Sequence, residues 1–534
     1  MQKGFLLSTY RDRTEVAMRI TEFKTYYDAV EYFEWKMLSD LFDGNQDSLN
    51  IAHECIDRHV KKGVAIRIKF SDGHTESYSF KDISIWSSRF AHFIECLGVK
   101  KGDRVALMLE PSFEFYITLF GTIKRGAIAV PLFTLFGSEA IEKRIQDARP
   151  KLFVTTKEIC NRVPKGIVPE ILGIGHSLSK ALKDQPDAYQ PQTSSKDLAV
   201  FQYTSGTTRQ FPDAIRHTHR GCVTLMLAAL FGLGLREGDR YFCPSSPAWG
   251  HGLWHGTISP LALGIPTGTY SGRFQEEKIL EAIEEFEITN IAAAPTVFRR
   301  IKDSGMSDKY RFQIEKVSYT GEPIDSGTFS FIEKTFGVMP CSMYGTTEAG
   351  VILANFPGFT DWVVKPGSLG KPVPGWKVGI IDEKGNLLPP GEVGEIAVKR
   401  RGEWFRVKDA GMMDEDGYFW HKGRSDDVII SAGWTISAVE IEDCLMKHPE
   451  VMEAAVIGIP DSDRGQIVKA FVRVTNKREG LDRDLQEHIR MRLSKHEYPR
   501  EIEFLREIPK TPAGKVNRES LRKRERQINR KGIP

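Results

Sequence analysis

"DRVALMLE-PSFEFYITLFGTIKRG-AIAVPL", Asp103–Leu132, is the stretch that decides the fold. The first piece is a short apolar run after a Gly-Asp turn and reads as a buried strand. The second opens with Pro and closes with Gly, the punctuation of a helix. The third is again an apolar run of strand length. Working outward, "EAIEKRIQDAR" (139–149) reads as a helix and "KLFVTT" (151–156) as a strand. This β-α-β-α-β order predicts a mainly parallel sheet with helices on its faces.

The pattern continues through "DLAVFQYTSGTT" (197–208), a strand running into a small-residue loop. "KILEAIEEFEITNIAAAP" (278–295) and "GTFSFIEKTFGVMPCSMYG" (327–345) are further helix–strand pairs. From about residue 365 to about 420 the texture changes to short β runs between Gly/Pro-rich turns, which predicts antiparallel hairpins or a small barrel. A third texture, helix–strand–strand–helix, follows from about residue 426 and is long enough for a small domain of its own. The expected fold is therefore α/β. A large N-terminal domain (1–425) combines mainly parallel sheets, flanking helices and a β-barrel-like part. A small mobile α+β domain (426–534) follows.

Composition narrows the function. The 534 residues exceed what one hydrophobic core usually serves, so two or more domains are expected. The net charge of +3 gives no basic field for nucleic acid. The cysteines number seven and form no CxxC pair, against a disulfide framework or a zinc site and in keeping with a reducing cytoplasm. No signal peptide stands out, and no apolar run reaches the length of about 18 residues that a membrane span needs. A cytoplasmic enzyme is the expectation.

Four stretches carry chemistry. In "TSGTT", Thr204, Ser205, Gly206, Thr207 and Thr208 follow a strand and offer backbone N–H groups and hydroxyls to a polyphosphate; a plain surface turn would read the same way. It is not a Walker loop, since no GK[ST] follows. "SMYGTTEAG" (342–350) supplies Tyr344 to stack on a base, Thr347 for a phosphate oxygen and Glu348 as a hard ligand for magnesium; a strand-to-helix turn with a cap is the alternative. "GYFWHKGRSDDVIISAGWTISAVEIED" (417–443) places Arg424 and two aspartates at the change of texture, where a charged linker would also fit. "PKTPAGKVNR" (509–518) sets Lys515 in a loop, where a solvated surface lysine is the bland reading.

In this order and spacing, "YTSGTT", "GEP", "YGTTEAG", "GR.DD…G…I…VEIE" and "PKT..GK..R" resemble the adenylate-forming superfamily over about residues 40 to 525. The overall texture is similar to its medium-chain acyl-CoA synthetase branch. The resemblance implies an ATP-dependent acid–CoA ligase. An acid attacks the α-phosphate of ATP, giving acyl-AMP and pyrophosphate, and the thiol of coenzyme A then displaces AMP. Lys515 would bridge carboxylate and α-phosphate, Glu348 would hold Mg²⁺, and Thr347 and Thr346 would line the phosphates. Tyr344 would lie beside the adenine and Gly321, Glu322 and Pro323 along it, with Gly345 also in the nucleotide site. Asp409 and Arg424 would take the ribose, although the usual "TGD" reads "VKD" here.

Asp426 falls at the family hinge. About it the C-terminal domain would carry either Lys515 or Ser431–Trp434, with Gly433 and Trp434, into place on the coenzyme A side. Trp249 and His251 would line the acyl channel, and for His251 a structural histidine is the equal alternative. In acetate-activating relatives a tryptophan at the position of Gly345 closes the pocket. Glycine therefore implies a longer, branched, alicyclic or aromatic acid in an apolar pocket. The expected partners are the acid, ATP and coenzyme A, without nucleic acid or membrane span; a homodimer is left open.

Two departures qualify the pattern. Arg209 stands where the family has glycine, and "QFPDAIR" (210–216) replaces its Pro-Lys-Gly run, with Asp213 an anion among anions. Thr435 stands where related synthetases carry arginine. Two other readings remain open: an enzyme that loads a carrier protein, and a homologue that binds nucleotide or acyl group without turnover.

Overall fold

The computed structural model describes residues 18–164, 166–203, 214–346, 349–424, 429–431, 434–436, 438–461, 465–493, 498–510 and 516–530. The Asp103–Leu132 stretch forms strand Arg104–Met108, helix Phe113–Lys124 and strand Ile128–Pro131. The helix starts where Ser112 Oγ accepts a hydrogen bond from the Phe115 N–H. That cap satisfies one of the free donors of the first turn. Ten of its twelve residues are buried, Phe115 to Lys124 without a break, so it is a core helix rather than a surface one.

The two strands lie side by side in a six-stranded sheet. Its order is Glu170–Gly173, Leu152–Thr155, Arg104–Met108, Ile128–Pro131, Leu198–Tyr203 and Ala214–Thr218. All pairs are parallel except the last, which is a hairpin. A nine-stranded sheet runs Lys371–Pro372, Gly350–Ala354, Cys341–Thr346, Lys316–Tyr319, Asn290–Ala293, Tyr241–Phe242, Thr267–Ser271, Val64–Phe70 and Thr75–Ser79. It is parallel from Cys341–Thr346 to Val64–Phe70 and antiparallel at both flanks. Its strands Asn290–Ala293 and Lys316–Tyr319 are buried at every position. Both faces are covered, and the polar residues Asn290, Lys316 and Ser318 are buried along with the apolar ones.

The Gly/Pro-rich stretch folds as a four-stranded antiparallel sheet of Val378–Ile381, Val393–Arg400, Glu403–Met413 and Phe419–Arg424. The C-terminal part has its own sheet, built on the long pair Val451–Asp461 and Gly465–Val474. Its separate core includes Ile429, Ile436, Ile441, Leu445, Val456 and Val468. The expected boundary, 425/426, lies outside the described residues. The C-terminal part touches the larger one through Asp443 Oδ1, which accepts from the Ser326 N–H at 3.3 Å, and through a Lys422–Glu440 ion pair.

This topology sets the location of a site. Strands Leu198–Tyr203, Lys316–Tyr319 and Cys341–Thr346 all run into the motif loops at their carboxyl ends. Ligands of open α/β sheets bind at that edge.

Candidate active site

Tyr344 lies on strand Cys341–Thr346, and Asp409 on strand Glu403–Met413 of the neighbouring antiparallel sheet. The Tyr344 hydroxyl donates to Asp409 Oδ2 at 2.6 Å. Asp409 is only 6% exposed, so the bond is formed away from bulk water, where a hydrogen bond to an ionised acceptor is strong. Asp409 pairs in register with Arg424 on strand Phe419–Arg424. Three residues expected around the adenosine are thus brought together from positions far apart in the chain.

The "VKD" departure has a local consequence. Lys408 takes φ of +64°, in the left-handed region that favours glycine. Its N–H donates to Glu395 Oε1 at 2.9 Å, which holds the turn. The residue before Asp409 thus takes a backbone conformation suited to glycine while carrying a long side chain.

Gly345 sits at an irregularity of the Cys341–Thr346/Gly350–Ala354 pair. A Cβ added there would overlap the carbonyl of Gly350. Glycine is therefore demanded by a close backbone approach, whatever its effect on an acyl pocket. Gly321 has φ of +95° and turns the chain just after strand Lys316–Tyr319. Glu322 Oε1 accepts from the Thr296 N–H at 2.7 Å and from its hydroxyl. The Glu322 side chain thus serves the first turn of helix Pro295–Ser304.

The two residues that flank the Thr204–Asp213 segment, Tyr203 and Ala214, are fixed by one side chain. Tyr203 and Ala214 are register partners at the mouth of their hairpin. Asp147 Oδ2 accepts from the Tyr203 hydroxyl at 2.7 Å and from the Ala214 N–H at 3.3 Å. Nothing in the sequence motif points to Asp147, which lies on another element. Thr204, Ser205, Gly206, Thr207, Thr208, Arg209 and Asp213 lie outside the described residues, as do Thr347, Glu348, Asp426, Gly433 and Lys515. The side chains of Arg424, Trp434 and Thr435 do so too.

Trp249 and His251 form a different wall. The Trp249 ring lies 5.3 Å from that of Phe133. His251 opens a π-helical segment, His251–Ile258, which the sequence reading missed. Its Nδ1 is 2.8 Å from Ser245 Oγ, while its Nε2 is buried without a partner. The nearby His255 is likewise unpaired at Nδ1. Burial lowers His251 to about 4 and His255 to about 3, so both imidazoles are neutral at pH 7. The wall is accordingly polar in part. Among the described residues, no hydrogen bond or ring contact links it to Gly345.

Comparison with known proteins agrees with this geometry. The AMP-binding enzyme family matches residues 56–403, and the AMP-binding enzyme C-terminal domain matches residues 440–515. The chain belongs to the AMP-binding enzyme family. Acetyl-coenzyme A synthetase of Bacillus subtilis (strain 168) is 33% identical, covering 93% of this chain and 95% of its own. Acyl-coenzyme A synthetase ACSM3, mitochondrial, of Mus musculus is 32% identical over 85% of this chain and 86% of its own. An anthranilate CoA ligase solved in complex with anthranoyl-AMP superposes with a TM-score of 0.81 at 28% identity, covering 91% of this chain and 98% of that one. This member of the AMP-binding enzymes is an adenylate-forming acyl-CoA synthetase, an AMP-forming acid–CoA ligase that uses ATP, Mg²⁺ and coenzyme A. No helix among its described residues is long and apolar enough to cross a membrane.

Proposed function

We propose that the chain, acting in the cytoplasm, activates a medium-size, branched, alicyclic or aromatic carboxylic acid and passes the acyl group to coenzyme A. The single observation that carries this reading is the grouping of Tyr344, at the carboxyl end of its strand, with Asp409 and the position of Arg424 on the adjoining antiparallel sheet. Such a grouping fits an adenosine whose phosphates extend toward Thr204–Thr208.

In this reading Tyr344 and the backbone of Gly321–Pro323 flank the adenine. Asp409 and Arg424 hold the ribose, and Thr204–Thr208, Thr346 and Thr347 receive the phosphates. Two anchors on one sugar fix the α-phosphate for in-line attack by the carboxylate. Lys515 offsets the repulsion between the two anions, a preorganised charge that acts as the transition state forms. Glu348 would hold the magnesium ion. The donor fits, since a carboxylate two residues beyond Thr346, on the segment that carries Tyr344, is the hard oxygen ligand magnesium takes. When bound, the ion neutralises charge on the phosphates. Trp249, His251 and Gly345 lie on the acyl side, and Gly433 and Trp434 on the coenzyme A side. The boundary at 425/426, with Asp426 as hinge, lets the C-terminal domain exchange these two faces.

The test separates the half-reactions. Lys515→Ala should lower acid-dependent exchange of pyrophosphate into ATP by about 10²–10³-fold, and should leave thioester formation from supplied acyl-AMP within a few-fold of the parent. Equal loss of both half-reactions would remove Lys515 from the assigned role. Binding of ATP by the parent protein without any acid-dependent exchange would favour the non-turnover reading.

A further inference from the structure

The wall around Trp249 carries more unpaired polar atoms than a hydrocarbon tail would use. His251 Nε2, His255 Nδ1 and His217 Nε2 are each buried without a hydrogen-bond partner. Buried polar groups are paired as a rule, and each exception needs a reason. Here the exceptions cluster. The His251 and His255 rings are 5.8 Å apart on one segment, and the Trp254 ring between them in sequence lies 4.6 Å from His217. Trp254 Nε1 donates to Gln202 Oε1 at 2.6 Å, tying the segment to the strand that leads into the phosphate loop.

The segment is built for a purpose other than economy of folding. His251–Ile258 is wound as a π-helix, a form that is rare and frequently marks functional sites. A Cβ at Gly252 would overlap the carbonyls of Ser245 and Ser246, so the segment is seated by direct backbone approach. Trp249, His251 and His255 keep partial exposure while Gly252, Leu253, Trp254, Gly256, Thr257 and Ile258 are buried. The two histidines, four residues apart, thus share the partly exposed side of a segment that is otherwise buried.

The chemistry of that face selects a ligand group. Each neutral imidazole offers one N–H and one lone pair. Burial disfavours the charged form of both rings, so neither presents a standing cation to a second carboxylate. An alkyl or phenyl tail would leave the nitrogens unpaired. A hydroxyl both donates and accepts. If Ser245 Oγ donates to His251 Nδ1, then Nε2 carries the proton and needs an acceptor. If the bond runs the other way, Nε2 needs a donor. A hydroxyl answers either case. We propose that the acid activated by this protein carries a hydroxyl group on its chain or ring, which His251 and His255 bind. The assignment rests on the acyl chain lying against Trp249, as in the proposed function.

The experiment is acid-dependent AMP release in the presence of ATP and coenzyme A, measured for butanoate, hexanoate, cyclohexanecarboxylate and benzoate. Each is set against its hydroxylated counterparts at every chain or ring position. A site that hydrogen-bonds a substrate hydroxyl discriminates strongly against the analogue that lacks it, so the best hydroxylated acid should exceed its parent in kcat/KM by about tenfold or more. In His251→Phe and in His255→Leu that ratio should fall toward one. His251→Asn, which keeps a donor and an acceptor, should retain part of the preference. Should a variant fail to fold, the ratio in the parent protein decides by itself. Turnover of the unsubstituted acids at rates equal to or above all their hydroxylated counterparts overturns the hydroxyl assignment and leaves the ligase reading intact. No AMP release with any acid overturns the ligase reading, and the hydroxyl assignment with it.

Discussion

The Tyr344 hydroxyl donates to Asp409 Oδ2 at 2.6 Å, joining the end of the parallel sheet to the four-stranded antiparallel one. It holds the carboxylate proposed to receive the ribose. In Tyr344→Phe the ring remains for the adenine but the carboxylate loses its anchor. A hydrogen bond to a charged group contributes about 1.5 kcal/mol or more, so the KM for ATP should rise roughly tenfold. Tyr344→Leu, which loses the ring as well, should raise it further. Steady-state kinetics with ATP varied would check this, and an unchanged KM in Tyr344→Phe would show that the bond does not position Asp409 for nucleotide.

Lys408 occupies a left-handed conformation at φ of +64° with its side chain exposed. A non-glycine residue there costs about 1 kcal/mol. Lys408→Gly removes that strain while exposing little and breaking no side-chain contact. The variant should be more stable by about 0.5–1 kcal/mol after the greater chain entropy of glycine in the unfolded state is counted. Chemical denaturation would show a higher midpoint at constant slope; a lower midpoint would mean the turn is not strained.

Gly345 is required by its approach to the Gly350 carbonyl. Gly345→Ala should therefore destabilise the protein by about 1–3 kcal/mol through displaced backbone, with a lower melting temperature even in the absence of any acid. A variant with normal stability but a shifted preference among acids would assign the glycine to the acyl pocket alone.

Burial lowers His59, His217, His219 and His251 to about 4 and His255 to about 3. The unfolded chain, with histidines near 6.5, binds more protons than the folded one below that pH. Stability is therefore fully present above about pH 6.5 and is lost as pH falls through 6 and 5 toward 4. Each histidine adds a slope of up to about 1.4 kcal/mol per pH unit. Urea midpoints should decline steadily from pH 7 to pH 5, and a flat profile over that window would contradict the neutral buried rings.

The fold was legible because buried parallel strands write themselves as short apolar runs. Arg104–Met108, Ile128–Pro131 and Leu152–Thr155 fall where such runs are. Tyr344 and Asp409, proposed to hold the adenosine, stood out through motif order, yet their hydrogen bond spans 65 residues and is a tertiary fact no local pattern carries. Asp147 was missed because it clamps the loop from a different element, with only an ordinary helical sequence around it. The π-helix His251–Ile258 was missed because so short a π-wound segment, with two glycines in it, shows neither the 3.6 nor the 2.0 period. His251 itself was noticed, but the contacts of its Nδ1 with Ser245 and Cys243, and the burial of its Nε2, are set by the folded chain.

The most direct test of the central claim is product analysis with ATP, Mg²⁺, coenzyme A and a panel of straight-chain, branched, alicyclic and aromatic acids, hydroxylated members included. The account predicts AMP, pyrophosphate and an acyl-CoA thioester in equal amounts, with at least one acid larger than acetate turned over faster than acetate. Acyl-AMP that accumulates without any thioester, or formation of ADP in place of AMP, would contradict it.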